Sequence, residues 1–289
     1  QARRKAIWPY RVKRENKYQW TIAGVPTKAW AKKVFPNLSG SKAKEALWEA
    51  ILKTSRCNED PIKDWEDHNA DLKKRFTYLN SLNLDYLHYE SSNGTNFKVW
   101  LNPLCDFLGG GETTLGTNIY YNPNIPSEEV FTSPLKGKAE GILFSTKPLS
   151  YNGTIISKFS LTFKDGQIVD YDADDNKEIL KNLIDTDKGT KSLGEVALIS
   201  YDSPISNSGI LFYETLFDEN ASCHLAIGAC YPTNVKGGSE LTSEQLYELG
   251  GNDSMEHVDF MFGSEDMHIV GTAYDGQEIV VFDKGNFII

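Results

Sequence analysis

Residues 84–101, LDYLHYESSNGTNFKVWL, decide the fold class. Two runs rich in aromatic and β-branched residues, 86–89 and 97–101, flank the pair Asn93-Gly94. Asn-Gly between such runs indicates a β-hairpin, because both residues tolerate the positive φ angles that a tight turn requires. We therefore predict a pair of antiparallel strands here, and a change from helical to strand periodicity at the start of this stretch.

The sequence before this hairpin is predicted to be helical. Apolar residues recur at helical spacing over residues 41–57, and again over residues 60–82. Asp60-Pro61 fits a helix start, since Asp can cap free N–H groups and Pro suits the first turn. We expect the segment at about 60–82 to be the longest helix.

The sequence after the hairpin is predicted to be rich in strands. Asp-Gly pairs at 165–166 and 275–276 again separate strand-like runs, and helices are expected to reappear at about 176–185 and 242–249. The fold class is therefore α+β: a helical N-terminal part followed by a strand-rich, mixed but largely antiparallel part. We place the boundary between the helix-rich residues 27–83 and the strand-rich residues 84–289.

Charge and composition argue against several classes of function. The chain has 289 residues and a net charge of −10, which disfavours nucleic acid as a general partner. Residues 1–17 differ, with seven basic residues against Glu15 alone, and we interpret them as a basic linker or domain edge. No apolar run reaches the roughly 20 residues of a membrane span, and the start lacks the apolar region of a signal peptide. We expect a cytoplasmic protein that does not contact membrane.

The four cysteines are interpreted as reduced thiols, because no two have CxxC spacing and no secretion signal is evident. Cys223 lies directly before His224, which raises the possibility of a Cys–His nucleophile pair. The alternative is that Cys223 is a small core residue, since adjacent residues on a strand point to opposite faces.

His257 and Asp259 are the first candidate metal ligands. On a strand they would point to the same face, because side chains alternate with a period of two. Imidazole nitrogen and carboxylate oxygen are ligands that divalent cations accept together. The alternative is a structural His–Asp hydrogen bond.

Three more candidates follow from acids and a histidine next to apolar runs. His224 precedes such a run, where it would be costly to bury without a partner or a metal. Glu129 belongs to the Glu128-Glu129 pair, which could instead begin a helix. Glu195 leads a run of apolar and small residues, and could instead be a solvated acid at a strand end. Two Glu, two His and one Asp together suit a two-metal hydrolytic centre, although no single spacing proves it.

Four longer segments resemble signature segments of one family. They are 124–134 (NIPSEEVFTSP), 193–198 (LGEVAL), 215–228 (TLFDENASCHLAIG) and 257–261 (HVDFM). In this order they are similar to the M29 family of metallo-aminopeptidases, and the resemblance runs from about residue 18 to the C-terminus.

The resemblance implies a set of site residues. The implied metal ligands are Glu129, Glu195, His224, His257 and Asp259. Glu219 would be the general base or would bind the substrate amine, and Tyr231 would donate to the oxyanion or contact a metal. His68, His88 and His268 match nothing in the site and are expected to be structural or surface residues.

The resemblance also implies an activity. It is the release of N-terminal amino acids from peptides by a water activated by two divalent metal ions, with zinc, cobalt, manganese or magnesium all compatible. A homodimer with peptide substrates is expected. The family has a further N-terminal domain before the matching region, so we expect residues 18–289 to be the catalytic domain, with an unusually open site. The alternatives are another dinuclear metal amidohydrolase, or a metal-stabilised module that is inactive without that N-terminal domain.

Overall fold

The computed structural model describes residues 17–288. Most of the predicted basic linker at residues 1–17 lies outside the described residues. Seven α-helices occur in the described part of the chain: α1 (Lys28–Val34), α2 (Gly40–Thr54), α3 (Pro61–Ser81), α4 (Lys177–Ile184), α5 (Pro204–Ser208), α6 (Thr215–Glu219) and α7 (Ser243–Glu248).

The strands are, in chain order, β1 (Ile22–Ala23), β2 (Leu84–Glu90), β3 (Asn96–Leu101), β4 (Leu108–Gly109), β5 (Glu112–Thr113), β6 (Tyr120–Tyr121), β7 (Asn124–Ile125), β8 (Val130–Thr132), β9 (Pro134–Phe144), β10 (Leu149–Tyr151), β11 (Thr154–Lys164), β12 (Gln167–Asp175), β13 (Leu193–Leu198), β14 (His224–Gly228), β15 (His257–Met261), β16 (His268–Ala273), β17 (Glu278–Asp283) and β18 (Asn286–Phe287).

Two antiparallel sheets dominate the architecture. The larger has the order β10-β11-β9-β3-β2-β16-β17-β18, with β12 also paired to β11, and the smaller has the order β15-β14-β13-β8-β4. Two short pairs complete the described strands, β5–β6 and the parallel pair β1–β7. The α+β class with largely antiparallel sheets is therefore confirmed.

The local predictions from turn and cap residues also hold. The Asn93-Gly94 turn joins β2 to β3, and the two Asp-Gly turns join β11 to β12 and β16 to β17. Helix α3 is the longest, and the side chain of Asp60 caps its first turn. Helix α7 begins with the predicted capping box between Thr242 and Gln245.

The main hydrophobic core lies between the two sheets. Phe159 of β11 and Phe260 of β15 meet there with ring centroids 5.7 Å apart, and Phe97 packs on Phe163 beside them. A second, smaller core joins α1 and α2 to the α5–α6 region and includes Leu47. None of the helices in residues 17–288 has the length and apolar composition of a membrane span.

Leu72 offers a test of how the longest helix is attached. It is fully buried in the main core, whereas Ile62 on the same helix is 76% exposed. We expect Leu72→Ala to lower the free energy of unfolding by about 2–5 kcal/mol, because it leaves a cavity. Ile62→Ala, the matched control, should change it by no more than about 0.5 kcal/mol. Urea unfolding measures both, and equal effects would contradict this packing.

Candidate metal centre

Along β13, β14 and β15, successive side chains alternate between the hydrophobic core and the opposite, polar face of the sheet. Val196, Leu225 and Phe260 face the main core. The side chains between them in sequence point to the opposite face, where Glu195 of β13 and Asp259 of β15 both lie in register with Ala226 of β14. The small Ala226 side chain leaves space between the two carboxylates.

A β-bulge at Gly194 sets the direction of Glu195. Leu193 pairs with Ile227, yet Glu195 pairs with the adjacent residue Ala226, so one extra residue is inserted in β13. The bulge lets Leu193 pack in the core while Glu195, two positions later, reaches the polar face.

All five predicted ligands meet on this face. The Nε2 atom of His224 lies 3.3 Å from Oε2 of Glu129 and 4.0 Å from Oε1 of Glu195. The Nε2 atom of His257 lies 3.0 Å from Oε2 of Glu195 and 3.3 Å from Oδ1 of Asp259. Two sets of three potential ligands result, Glu129/Glu195/His224 and Glu195/His257/Asp259, and Glu195 belongs to both.

Backbone carbonyls orient both imidazoles. Nδ1 of His224 donates to the Glu219 carbonyl oxygen at 2.9 Å, and Nδ1 of His257 donates to the Ala229 carbonyl oxygen at 2.7 Å. A carbonyl oxygen only accepts, so each Nδ1 carries the hydrogen and each neutral ring presents its Nε2 lone pair to the cluster.

Two buried atoms of this cluster lack a hydrogen-bond partner, Nε2 of His257 and Oδ1 of Asp259. Such atoms are costly unless something else satisfies them. A nitrogen and an oxygen donor aimed into one space are suitable ligands for a divalent cation, so the residues present fit a metal. With its Nε2 protonated, His257 would instead make the structural His–Asp hydrogen bond offered as the alternative, over the 3.3 Å between Nε2 and Oδ1.

Burial and neighbouring charges shift the pKa values of Glu195, His224 and Asp259. Burial raises the pKa of Glu195 to about 7. Burial alone would lower the pKa of His224, but hydrogen bonding and the charge of Glu129 raise it to about 9. Asp259 has the opposite balance, because the charge of His257 outweighs burial and lowers its pKa to about 2. The electrostatic field that favours protonated imidazoles also favours a cation, which would replace those protons.

Glu219 and Tyr231 lie beside the five candidate ligands. Burial, followed by the charges of Asp259 and Glu129, raises the pKa of Glu219 well above its usual value. The Tyr231 ring lies 4.4 Å from the His257 ring between centroids, and burial and the neighbouring carboxylates raise its pKa. Although Tyr231 as a residue is 43% exposed, its hydroxyl is subject to the field of the cluster.

Several alternatives from the sequence are wrong in this structure. Glu195 is only 3% exposed, so it is not a solvated acid at a strand end. Glu128 and Glu129 do not begin a helix but lie in the turn before β8. Cys223 faces the core, where its Sγ contacts the backbone of Ile199, so no Cys–His pair forms.

The remaining histidines lie outside the cluster, as expected. His268 pairs with Asp283 at the surface, and His88 contacts Asn96.

His68 is buried against the Ser127 carbonyl. Its position on the apolar face of α3, next to Leu72, was a signal in the sequence that helical spacing could have revealed.

Carboxylates and imidazoles gathered on one face of an antiparallel sheet are typical of the metal centre of a hydrolase. The chain matches the family described as thermophilic metalloprotease (M29) over residues 1–287, and it belongs to that family.

Individual relatives support the same placement. The chain is 48% identical to aminopeptidase 2 of Geobacillus stearothermophilus over 93% of this chain and 65% of that protein. It is 46% identical to aminopeptidase AmpS of Bacillus subtilis (strain 168) over 98% of this chain and 69% of that one. The structure of wild-type AmpT from Thermus thermophilus superposes with a TM-score of 0.90 at 37% identity, covering 99% of this chain and 69% of that chain. The chain thus spans about two thirds of the length of these relatives.

Gly194 provides a test of the bulge that directs Glu195. A methyl group on Gly194 would lie 2.1 Å from the Ala229 carbonyl oxygen, which also accepts the hydrogen bond of His257. We expect Gly194→Ala to lower the free energy of unfolding by about 1–3 kcal/mol.

The matched control for this substitution is Gly40→Ala at the start of α2, where nothing lies within 4 Å of the added methyl group. It should leave stability unchanged or raise it by up to about 1 kcal/mol, because Ala favours the helix. Urea unfolding of the two variants compares them directly. A Gly194→Ala variant as stable as the parent would contradict the close approach of β13 to β14.

Proposed function

We propose that this chain carries the catalytic centre of a metal-dependent aminopeptidase, which releases N-terminal amino acids from peptides with two divalent cations. The single observation behind the two-metal proposal is that Glu195 belongs to both sets of potential ligands. Membership of a metalloprotease family, and relatives that are named aminopeptidases, support the choice of reaction.

The proposed ligands divide into two overlapping groups. Glu129, Glu195 and His224 would hold one cation, and Glu195 would share the other with His257 and Asp259. The chemistry that two cations supply in such a site is polarisation of the scissile carbonyl and a lowered pKa for water. The mixed nitrogen and oxygen donors are compatible with zinc, cobalt, manganese or magnesium.

Glu219 is proposed as the general base, or as the group that binds the substrate amine. Both roles are suggested by its place beside Asp259 and Glu129, where burial, followed by the charges of these two carboxylates, keeps its pKa high. A carboxylate with a raised pKa accepts a proton readily near neutral pH. A free peptide N-terminus is a cation, and an excess of carboxylates attracts it for the same electrostatic reason.

Tyr231 is proposed to donate to the oxyanion that develops on the scissile carbonyl, or to contact a metal. Its raised pKa keeps the phenol protonated, and a protonated hydroxyl can donate a hydrogen bond. The Phe131 ring packs against Tyr231 in a T-shaped arrangement with centroids 6.1 Å apart, and the His257 ring contacts it with centroids 4.4 Å apart. These two contacts fix the direction of the phenol.

The proposal extends to the surroundings of the enzyme. We propose peptide substrates, a homodimer in the cytoplasm, and no nucleic-acid partner. The net charge of −10 supports the last point. Light scattering of the purified chain measures the oligomeric state, and a monomer at micromolar concentration would contradict the homodimer.

Glu195→Gln is the sharpest test of the shared ligand. The amide removes the charge that both sets of ligands require, so we expect loss of aminoacyl-nitroanilide hydrolysis by at least about 10³-fold with an unchanged circular dichroism spectrum. Glu214→Gln is the matched control, because burial raises the pKa of Glu214 as it does that of Glu195, but Glu214 is not part of the cluster. It should keep full activity, and an active Glu195→Gln variant would contradict the proposal.

Metal removal separates the proposed reaction from its alternatives. We expect dialysis against a chelator to abolish activity and added divalent cation to restore it, whereas iodoacetamide should have little effect because burial raises the pKa of Cys223 to about 12. Elemental analysis alongside the assay adds a further distinction. Two bound metals without turnover on any amide would indicate a metal-stabilised module, and hydrolysis of small amides but not peptides would indicate another amidohydrolase.

A further inference from the structure

Glu128, in the turn before β8, forms a part-buried ion pair with Arg56 that the proposed reaction does not use. Glu128, the neighbour of Glu129, is 5% exposed. Arg56, just after α2, donates to both of its carboxylate oxygens, from Nε to Oε1 at 2.9 Å and from Nη2 to Oε2 at 2.6 Å. A two-pronged pair of this kind fixes the direction of the carboxylate as well as its charge.

Two further contacts hold the backbone of the same turn. Nε2 of His68 on α3 donates to the Ser127 carbonyl oxygen at 2.7 Å. The backbone N–H of Glu128 donates to Oδ1 of Asn220 at 2.7 Å, and Asn220 is fully buried. The turn is therefore tied to α2, α3 and the end of α6.

Glu129 needs this support because its surroundings repel it. Its carboxylate lies in a cluster with Glu195, Glu219 and Asp259, all within electrostatic range of one another. Its ion-pair partner within the described residues is His224. The side chain follows directly from the turn, so the position of the turn determines how far the carboxylate can withdraw from that repulsion.

The other set of ligands is held differently. His257 and Asp259 both lie on β15, which pairs with β14 along its whole length. The carbonyl of Ala229 orients the His257 ring. Arg56 contacts neither of these two side chains through an ion pair or hydrogen bond in the described part of the chain.

We propose that the Arg56–Glu128 pair is a positioning device for Glu129, and that it sets the cation affinity of the Glu129/Glu195/His224 set without affecting the Glu195/His257/Asp259 set. This inference rests on the proposed two-metal function. Through Arg56, the helical N-terminal part influences the cation affinity of the Glu129/Glu195/His224 set only.

The test is a titration of the metal-free 289-residue chain with Co²⁺, followed by calorimetry and by the visible absorption of the bound ion. We expect Arg56→Ala to raise the Kd of one of the two binding steps by about 10–100-fold and to change the other by no more than about twofold, as is typical when an outer partner of a ligand is lost. Glu128→Gln should act in the same way. Arg56→Lys should lie between the parent and Arg56→Ala, because Lys keeps the charge but not the two-pronged geometry.

Arg75→Ala is the matched control. Arg75 also pairs with a carboxylate, that of Asp71 at 2.6 Å, one turn away on α3, and its guanidinium lies over the Phe287 ring. The Arg75→Ala substitution should leave the Kd of both Co²⁺-binding steps unchanged. Arg56→Lys and Glu128→Gln keep the test available if Arg56→Ala does not fold.

Three outcomes would overturn the inference. Unchanged Co²⁺ affinities with a lowered Tm would show a purely structural role for Arg56. Equal weakening of both steps would contradict the selectivity for one set. A parent chain that binds no Co²⁺ would overturn the proposed function as well, whereas normal binding by the parent with unaffected variants contradicts the positioning role alone.

Discussion

Repulsion between buried carboxylates is the constraint on which the rest of the structure depends. Glu129, Glu195, Asp259 and Glu219 share one face of the small sheet, and two imidazoles offset only part of their charge. Without partners, these buried carboxylates would move out into water or take up protons. The rigid sheet prevents the carboxylates from moving out into water. The raised pKa of Glu195 shows the tendency of this group to take up a proton.

The sheet solves this problem by using its two faces for opposite purposes. The inner face of β13–β15 contributes to the main hydrophobic core, which fixes the strands in register. The outer face therefore presents its ligands at distances that the core has set. The bulge at Gly194 is the one local departure from alternation in this region, and it allows Leu193 and Glu195 to serve different faces.

The sequence alone could predict features that depend on neighbours in the chain. The Asn93-Gly94 hairpin and the common face of His257 and Asp259 follow from turn chemistry and strand periodicity. The direction of Glu195 could not be predicted in this way, because the bulge is defined by the partner strand β14. The residue pattern singled out the Glu128-Glu129 pair, and only the family resemblance selected Glu129 from it.

Contacts between residues that are far apart in the chain could not be predicted from the sequence either. Arg56 and Glu128 lie 72 residues apart, and neither has a local pattern that indicates the other. The burial of His68 likewise depends on the turn at Ser127, 59 residues away. The sequence predicts the ligands more readily than the groups that hold them in place.

The alternation in β14 and β15 also bears on how these strands can diverge. A substitution at Leu225 or Phe260 affects packing, and a substitution at His224 or Asp259 affects the polar cluster, so the two properties can change separately. Inserting or deleting one residue instead moves every later side chain to the opposite face, which places ligands in the core and apolar groups in the cluster. A change in strand length would therefore disturb both faces at once, whereas a change in length is accommodated more easily in connections such as the long segment between β14 and β15.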